Sequence, residues 1–288
     1  MKDLTDGREP QPVPLESDCD LSQLRLFQEY TAIMLERRSR MPASSSQFEE
    51  GLGCDCASES YCDKDCFCVE THGYFYDSER LLQLDALPPM HALFECSAVC
   101  QCSAKCRNRN VQAGIQLELV VRPSKMPSLG LGLFSLVDIP KGRFVCLYAG
   151  ELIDQSEAHR RWASRKSLQL SNYILVVNES NRTKRWKTII DPTYYGNVGR
   201  FINHACPPLA SLVMLPVRPC GQVTPLPALF ARRDILKGEE LSFDYYDASG
   251  SSPSSIGVTD PAFDESIMTR CLCGSPCCRK YMPFDSTL

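Results

Sequence analysis

The most informative segment of the chain is Asn197-Val198-Gly199-Arg200-Phe201-Ile202-Asn203-His204-Ala205-Cys206. It brings a guanidinium, an amide, an imidazole and a thiol close together, between apolar residues that would turn inward and hold them. Considered alone, the segment is equally compatible with a core strand that contains a hydrogen-bonded histidine. Its surroundings favour a functional site, because further cysteines, a glycine-rich turn and the aromatic motif Phe243-Asp244-Tyr245 occur elsewhere in the chain.

Composition limits the classes of protein to consider. The chain has 288 residues, of which 43% are hydrophobic, enough for one large domain or two smaller ones with a real core. It contains no apolar run near the ~18–20 residues needed to cross a bilayer, and its first residues form no secretion signal, so a membrane role is not expected. The net charge of −4 argues against a protein that mainly coats nucleic acid, and no sequence-specific nucleic-acid binding is expected.

The first half of the chain contains a dense cluster of cysteines. Because no secretion signal is expected, the 17 cysteines of the whole chain are expected in a reducing compartment. There, clustered thiols bind metal more often than they form disulfides. Three tetrahedral zinc ions need twelve thiolate bonds, which six terminal and three bridging thiolates supply. A disulfide knot is the alternative, and the odd number of thiols disfavours it. The predicted zinc ligands are Cys54, Cys56, Cys62, Cys66, Cys68, Cys96, Cys100, Cys102 and Cys106.

A second metal site is predicted from two distant parts of the chain. Cys206 and the motif Cys271-x-Cys273-x4-Cys278 supply four thiolates, as a closed structural zinc site requires. Cys277 lies beside Cys278 and is the alternative fourth ligand. The thiols predicted to stay free are Cys19, Cys146, Cys220 and Cys277.

The N-terminal 50 residues form a predicted extension. Residues 1–18 are rich in proline and acidic residues and are expected to be mobile. From Leu21 to about Arg38 the apolar residues recur at helical spacing, which predicts a helix that packs on the body of the protein or binds a protein partner. Residues 41–46 are typical of a linker.

The remainder of the chain has the pattern of a mostly β protein. Strands are predicted around residues 117–121, 143–148, 171–177, 186–191, 226–231 and 240–245, with one charged helix over 157–166 and a flexible loop over 248–262. Many short strands with few helices favour a β-rich body.

Together these motifs resemble the SET-domain protein-lysine methyltransferases that carry pre-SET and post-SET zinc modules. Asn203-His204-Ala205-Cys206 is similar to the family's Asn-His-Ser-Cys signature, and the resemblance extends over residues 51–288, with no transposase-like portion. It implies a SET fold of small curved sheets with a knot-like threaded segment. The implied division is an N-terminal extension (1–50), pre-SET module (51–113), SET domain (114–247), flexible loop (248–270) and post-SET tail (271–288).

The resemblance also implies the site residues. S-adenosylmethionine would be bound by Gly130, Leu131, Gly132, Tyr173, Arg200, Asn203 and His204, although Leu131 replaces the family's tryptophan. Tyr148, Phe243 and Tyr245 would line the lysine channel, with Tyr245 as the catalytic tyrosine. Each aromatic residue taken singly is more often part of a core. Cys54, Cys62 and Cys96 would be the bridging ligands of a triangular Zn3Cys9 cluster. Its three zinc ions and the one of the second site give four zinc ions per chain.

The implied function is methyl transfer to a lysine of histone H3, on its tail or on a nucleosome, in the nucleus and on chromosomes. Phe243 predicts dimethylation or higher. Two departures from the family pattern lie close to the predicted site, because Ala205 and Leu209 replace a serine and an asparagine. The alternatives are therefore a weakly active, zinc-rich chromatin adaptor and a methyltransferase of non-histone proteins.

Overall fold

A computed structural model describes most of the chain. The described residues are 2–17, 19–36, 53–56, 62–87, 92–168, 170–180, 185–220, 222, 224–246 and 269–282. The predicted linker, nearly all of the predicted flexible loop and the last six residues lie outside these ranges. Neither helix in the described part is long and apolar enough to cross a bilayer.

The described part is mostly β, which confirms the predicted fold class. Its two helices are α1 (Phe67–His72) and α2 (Gln155–Ser167). The strands are β1 (Lys2–Asp3), β2 (Pro14–Leu15), β3 (Glu29–Tyr30), β4 (Leu35–Glu36), β5 (Leu93–Glu95), β6 (Leu119–Pro123), β7 (Leu131–Ser135), β8 (Phe144–Leu147), β9 (Gly150–Leu152), β10 (Leu175–Ser180), β11 (Arg185–Gly196), β12 (Asn203–His204), β13 (Leu212–Pro219), β14 (Leu226–Ala231) and β15 (Ser242–Phe243).

These strands form three small sheets. The first has the order β1-β2-β6-β7, and the second has the order β10-β11-β9-β4 with β3 also paired to β11. The third has the order β12-β15-β13-β14-β8 with β5 also paired to β13. Short strands limit each sheet to a few hydrogen bonds, so packing between sheets must provide much of the stability.

The third sheet brings distant parts of the sequence together. β12 runs parallel to β15, with Asn203 opposite Ser242 and His204 opposite Phe243. β14 is antiparallel to β8, and Ala228 lies opposite Leu147, just before Tyr148. Most of β14 is fully buried because its Ala, Leu and Phe side chains face packed elements on both sides. The signature segment, the aromatic motif Phe243-Asp244-Tyr245 and Tyr148 therefore meet on one scaffold.

The N-terminal helix predicted from Leu21 to about Arg38 is wrong. Residues Leu21–Leu24 form one turn of 3-10 helix, and the chain then continues in β3 and β4. β3 pairs in parallel with β11 and β4 in parallel with β9. Tertiary pairing thus overrides the helical spacing of the apolar residues, and the proposed partner helix has no structural basis.

The prediction that residues 1–18 are mobile is also wrong, because this segment contributes two paired strands to the first sheet. β1 and β2 form an antiparallel pair, and β2 continues the first sheet through a parallel pairing of Leu15 with Val121. The Asp3 carboxylate accepts hydrogen bonds from the backbone of Thr5 and Val13, and Val13 is fully buried. These contacts fix a segment whose proline and acidic content is typical of mobile termini.

Candidate functional site

The signature segment is held in place by Asn197. Its side-chain oxygen accepts hydrogen bonds from the backbone N–H of Gly199 and of Ala149, both at 3.1 Å. Its side-chain nitrogen donates to the carbonyl oxygen of Leu147 at 2.7 Å. Asn197 thereby caps the short 3-10 turn Val198–Phe201 and fastens it to the end of β8. The local sequence folds this way because an asparagine at a helix start satisfies otherwise unpaired N–H groups.

Three predicted channel residues lie side by side. The ring centroids of Phe243 and Tyr245 are 4.6 Å apart, and those of Phe243 and Tyr148 are 6.4 Å apart with an edge-on orientation. Phe243 and Tyr148 are buried, and Tyr245 packs against the same hydrophobic core. The structure therefore brings these three aromatic residues into one cluster.

Both tyrosine hydroxyls of this cluster have backbone partners. The Tyr148 hydroxyl donates to the carbonyl oxygen of Tyr173 at 2.6 Å, and the Tyr245 hydroxyl donates to that of Ile202 at 2.8 Å. Burial raises the pKa of both phenols above the usual value, so both are neutral at physiological pH. The hydroxyls can orient a neighbouring group through their lone pairs, but neither is an easily deprotonated base.

The glycine-rich turn at residues 130–132 meets the signature segment. The Asn203 side-chain nitrogen donates to the carbonyl oxygen of Leu131 at 3.1 Å and to the Glu240 carboxylate at 3.0 Å. Glu240 also accepts hydrogen bonds from the Ser124 hydroxyl and from the backbone N–H of Lys125. Glu240, which the sequence interpretation missed, thus links Asn203 to Ser124 and Lys125, in the segment that precedes the turn.

Arg200, within the signature segment, has a buried guanidinium group beside Tyr173. Its side chain is buried, and none of its three guanidinium nitrogens has a hydrogen-bond partner among the described residues. The guanidinium carbon lies 4.1 Å from the centre of the Tyr173 ring and 5.1 Å from that of Phe27. Burial lowers the pKa of this guanidinium. An unpaired buried cation is costly, so the Arg200 guanidinium fits a site for an anionic group such as a carboxylate.

Both ring nitrogens of His204 contact other protein groups. Its Nδ1 accepts a 3.1 Å hydrogen bond from the backbone N–H of Tyr245, and its Nε2 lies 3.3 Å from Cys206 Sγ. Burial lowers the pKa of the imidazole. The family resemblance assigns His204 to cofactor binding, but both nitrogens of its ring already have protein partners. The imidazole instead connects Tyr245 to the predicted zinc ligand Cys206.

The four predicted C-terminal zinc ligands are close together. The thiols of Cys206, Cys271, Cys273 and Cys278 form one group whose sulfur atoms all lie within 4.8 Å of one another. Cys278 rather than its exposed neighbour Cys277 belongs to this group. The tail is also fastened by an ion pair between Arg279 and Asp244 at 2.7 Å. It therefore packs next to the Asn203-His204 strand.

The nine N-terminal cysteines form a second, larger group. The sulfur atoms of Cys54, Cys62 and Cys96 form a triangle with sides of 3.6, 3.7 and 4.0 Å. Two thiolates of one tetrahedral zinc are about 3.8 Å apart, given Zn–S bonds of about 2.3 Å. Cys56 and Cys66 lie near one side of the triangle, and Cys68 and Cys100 near another. These positions fit shared zinc ions.

Comparison with known proteins agrees with this geometry. A sequence model of the Pre-SET motif matches residues 5–109, and one of the SET domain matches residues 130–246. The mouse (Mus musculus) histone-lysine N-methyltransferase SETMAR is 41% identical over 241 residues, which cover 82% of this chain and 75% of the relative. The chain belongs to the SET-domain family of histone-lysine N-methyltransferases.

Solved structures support the SET fold over nearly the whole chain. The methyltransferase domain of human SETMAR superposes with a TM-score of 0.74 at 34% identity, covering 98% of both chains. Arabidopsis thaliana SUVH6 in complex with SAM gives a TM-score of 0.73 at 27% identity, covering 97% of this chain and 55% of that one. The mostly β fold is thus the SET fold.

Several residues of the SET scaffold were not predicted from the sequence. Cys220, predicted to be a free thiol, lies 3.6 Å from Cys68 Sγ and is buried among the pre-SET cysteines. Gln23 and Phe27 reach the glycine-rich turn and Arg200, respectively, from the N-terminal segment. No local sequence signal marks these residues, because each is brought to its site only by packing between distant segments.

Proposed function

We propose that this chain transfers methyl groups from S-adenosylmethionine to a lysine of histone H3, on the H3 tail or the nucleosome, and acts on chromatin in the nucleus. The observation that carries the proposal is the buried Arg200 guanidinium. It has no hydrogen-bond partner among the described residues and lies next to Tyr173. Family membership supplies the reaction class, and the acidic net charge of −4 suits a basic histone substrate.

Cofactor binding is assigned to two groups of residues. The backbone of Gly130, Leu131 and Gly132 and the side chains of Tyr173, Arg200 and Asn203 would hold it, together with the backbone of His204. Arg200 would bind the cofactor's carboxylate, because an anion supplies the partners that its nitrogens lack. When bound, the cofactor supplies an electrophilic methyl group. The SAM complex of the related SUVH6 supports this choice of cofactor.

The aromatic cluster would form the channel for the substrate lysine. Free lysine has a pKa of about 10.4, so the site must favour its neutral amine, and burial between apolar walls does so. Tyr148, Phe243 and Tyr245 exclude water and attract methylated ammonium groups through their ring faces. Tyr245 would orient the amine, since its own proton is directed to the Ile202 carbonyl. Its raised pKa argues against a role as general base.

The degree of methylation is assigned from Phe243. Its side chain has no hydroxyl that would bond to the amine or to a water molecule. A methylated lysine therefore has room to rotate and present its lone pair again. We assign dimethylation or a higher degree to this chain on that basis.

The cysteine groups would bind four zinc ions. Three belong to a cluster in the pre-SET module, placed at residues 51–113, with Cys54, Cys62 and Cys96 as bridges. One belongs to the post-SET tail, placed at residues 271–288, and completes the channel of the SET domain at residues 114–247. The sulfur distances of 3.6–4.0 Å within the triangle support the bridging assignment.

Transfer of tritium from labelled cofactor to core histones, compared with a panel of other proteins, tests the function. Label on H3, mapped with peptides, is the expected result. Label only on non-histone proteins would favour the alternative that this chain is a methyltransferase of non-histone proteins. Folded, zinc-loaded protein that binds chromatin but labels nothing would favour a chromatin adaptor. That alternative is motivated by Ala205 and Leu209, which replace the family's serine and asparagine.

A further inference from the structure

The N-terminal segment crosses the surface assigned to the cofactor. The side-chain oxygen of Gln23 accepts a 3.0 Å hydrogen bond from the backbone N–H of Leu131. A Cβ atom built on Gly130 would overlap the side-chain nitrogen of Gln23. The amide of Gln23 therefore lies directly against the open side of the glycine-rich turn. This is the side that a missing Cβ leaves accessible to a ligand.

A second contact connects the same segment to the other end of that surface. The Phe27 ring lies 5.1 Å from the guanidinium carbon of Arg200, which also contacts the rings of Tyr173 and Phe201. Among the described residues, the Arg200 guanidinium contacts these rings and has no hydrogen-bond partner. Residues 23 and 27 thus contact both groups that are assigned to the cofactor.

The two parts of this segment are held very differently. The turn Leu21–Leu24 has no buried residue, and Leu21 is 61% exposed. The chain that follows is anchored, because the backbone N–H groups of Gln28 and Thr31 donate 2.8 Å hydrogen bonds to β11, and Tyr30 is buried. Weakly buried elements open at low free energy. The turn that carries Gln23 can therefore move away while β3 stays in place.

We propose that Gln23 sets the cofactor affinity of this enzyme by occupying the Leu131 amide in the unliganded state. The inference rests on the proposed function, since it concerns the same site. A backbone N–H directs one strong hydrogen bond, so cofactor contact with the turn requires Gln23 to leave. The apparent affinity is then reduced by the fraction of molecules in which Gln23 occupies the turn.

Replacement of Gln23 tests the proposal through binding rather than activity. For Gln23→Ala we expect a Kd for S-adenosylhomocysteine about fivefold lower than wild type by calorimetry, which corresponds to about 1 kcal/mol. The Leu131 amide should also exchange its hydrogen faster in the unliganded variant. Gln28→Ala is the matched control, because Gln28 is an exposed glutamine on the same segment, and its Kd should equal that of wild type.

The outcomes separate this inference from the proposed function. If the wild type binds S-adenosylhomocysteine and Gln23→Ala binds it with an equal or higher Kd, the inference is overturned and the proposed function stays intact. No binding by wild type or either variant, with all three folded by circular dichroism, would overturn the proposed function and the inference with it. Tighter binding and faster exchange of the Leu131 amide in Gln23→Ala, with neither effect in Gln28→Ala, would support the proposal that Gln23 competes with the cofactor.

Discussion

The Tyr245 hydroxyl donates a 2.8 Å hydrogen bond to the carbonyl oxygen of Ile202. The backbone N–H of Tyr245 donates to Nδ1 of His204, two residues further along that segment. The tyrosine is therefore fixed at both its backbone and its hydroxyl by the Asn197–Cys206 stretch. Because the hydroxyl proton is directed to Ile202, the oxygen's lone pairs stay available to another donor. The ring has a fixed orientation in the aromatic cluster.

Tyr245→Phe should reduce turnover about a hundredfold, a typical loss for one positioned polar group. Cofactor affinity should stay within about twofold of wild type, because only the hydroxyl is lost. Peptide methylation and calorimetry with S-adenosylhomocysteine measure the two quantities. Tyr74→Phe is the control, since Tyr74 is 41% exposed and lies in the pre-SET module. Wild-type turnover in Tyr245→Phe would mean that this tyrosine serves only packing.

Phe243→Tyr should shift the product towards monomethyl-lysine. The added oxygen enters a position that is 1% exposed and 4.6 Å from the Tyr245 ring, and it can hold the amine or a water molecule. A bias of about 1.4 kcal/mol against the second transfer already makes it tenfold slower. Mass spectrometry of methylated peptide gives the product ratio, with Phe67→Tyr as control because Phe67 is an exposed phenylalanine. Wild-type protein that stops at one methyl would contradict the assignment.

Arg200→Met should separate stability from binding. Methionine has a similar length and removes a buried, unpaired cation, so the melting temperature of the unliganded protein should stay equal or rise. Cofactor Kd should rise about tenfold or more, because a charged hydrogen bond contributes about 1.5–3 kcal/mol. Thermal unfolding and calorimetry test this, with exposed Arg25→Met as control. A lower melting temperature with unchanged Kd would make Arg200 a structural residue.

Elemental analysis should give four zinc ions per chain. Cys206→Ser should lower the count by one, whereas Cys96→Ser should remove more zinc than Cys102→Ser, because a bridging thiolate serves two ions. Chelators should empty the C-terminal site first, since Cys271, Cys273 and Cys278 are partly exposed and most pre-SET thiols are buried. Folded, soluble protein without metal would refute both sites.

The strand pattern was predictable where side-chain alternation and turn residues act locally. The prediction for residues 226–231 coincides with β14, and the helix over 157–166 lies within α2. β13 was missed, because its prolines Pro216 and Pro219 obscure a strand that pairing with β14 and β5 supports. The helix expected from Leu21 failed for the related reason that its residues pair with β9 and β11.

Residue types and their spacing were enough to identify two groups of thiols, a glycine-rich turn, an aromatic motif and the signature from Asn197 to Cys206. Which distant groups share a surface became known from the folded chain alone. It placed Gln23 on the Leu131 amide, Cys220 beside Cys68, and both nitrogens of His204 against protein partners. The physical reason is that such contacts arise from packing between segments far apart in the chain, and hydrophobic packing constrains size and shape without leaving a local pattern in the sequence.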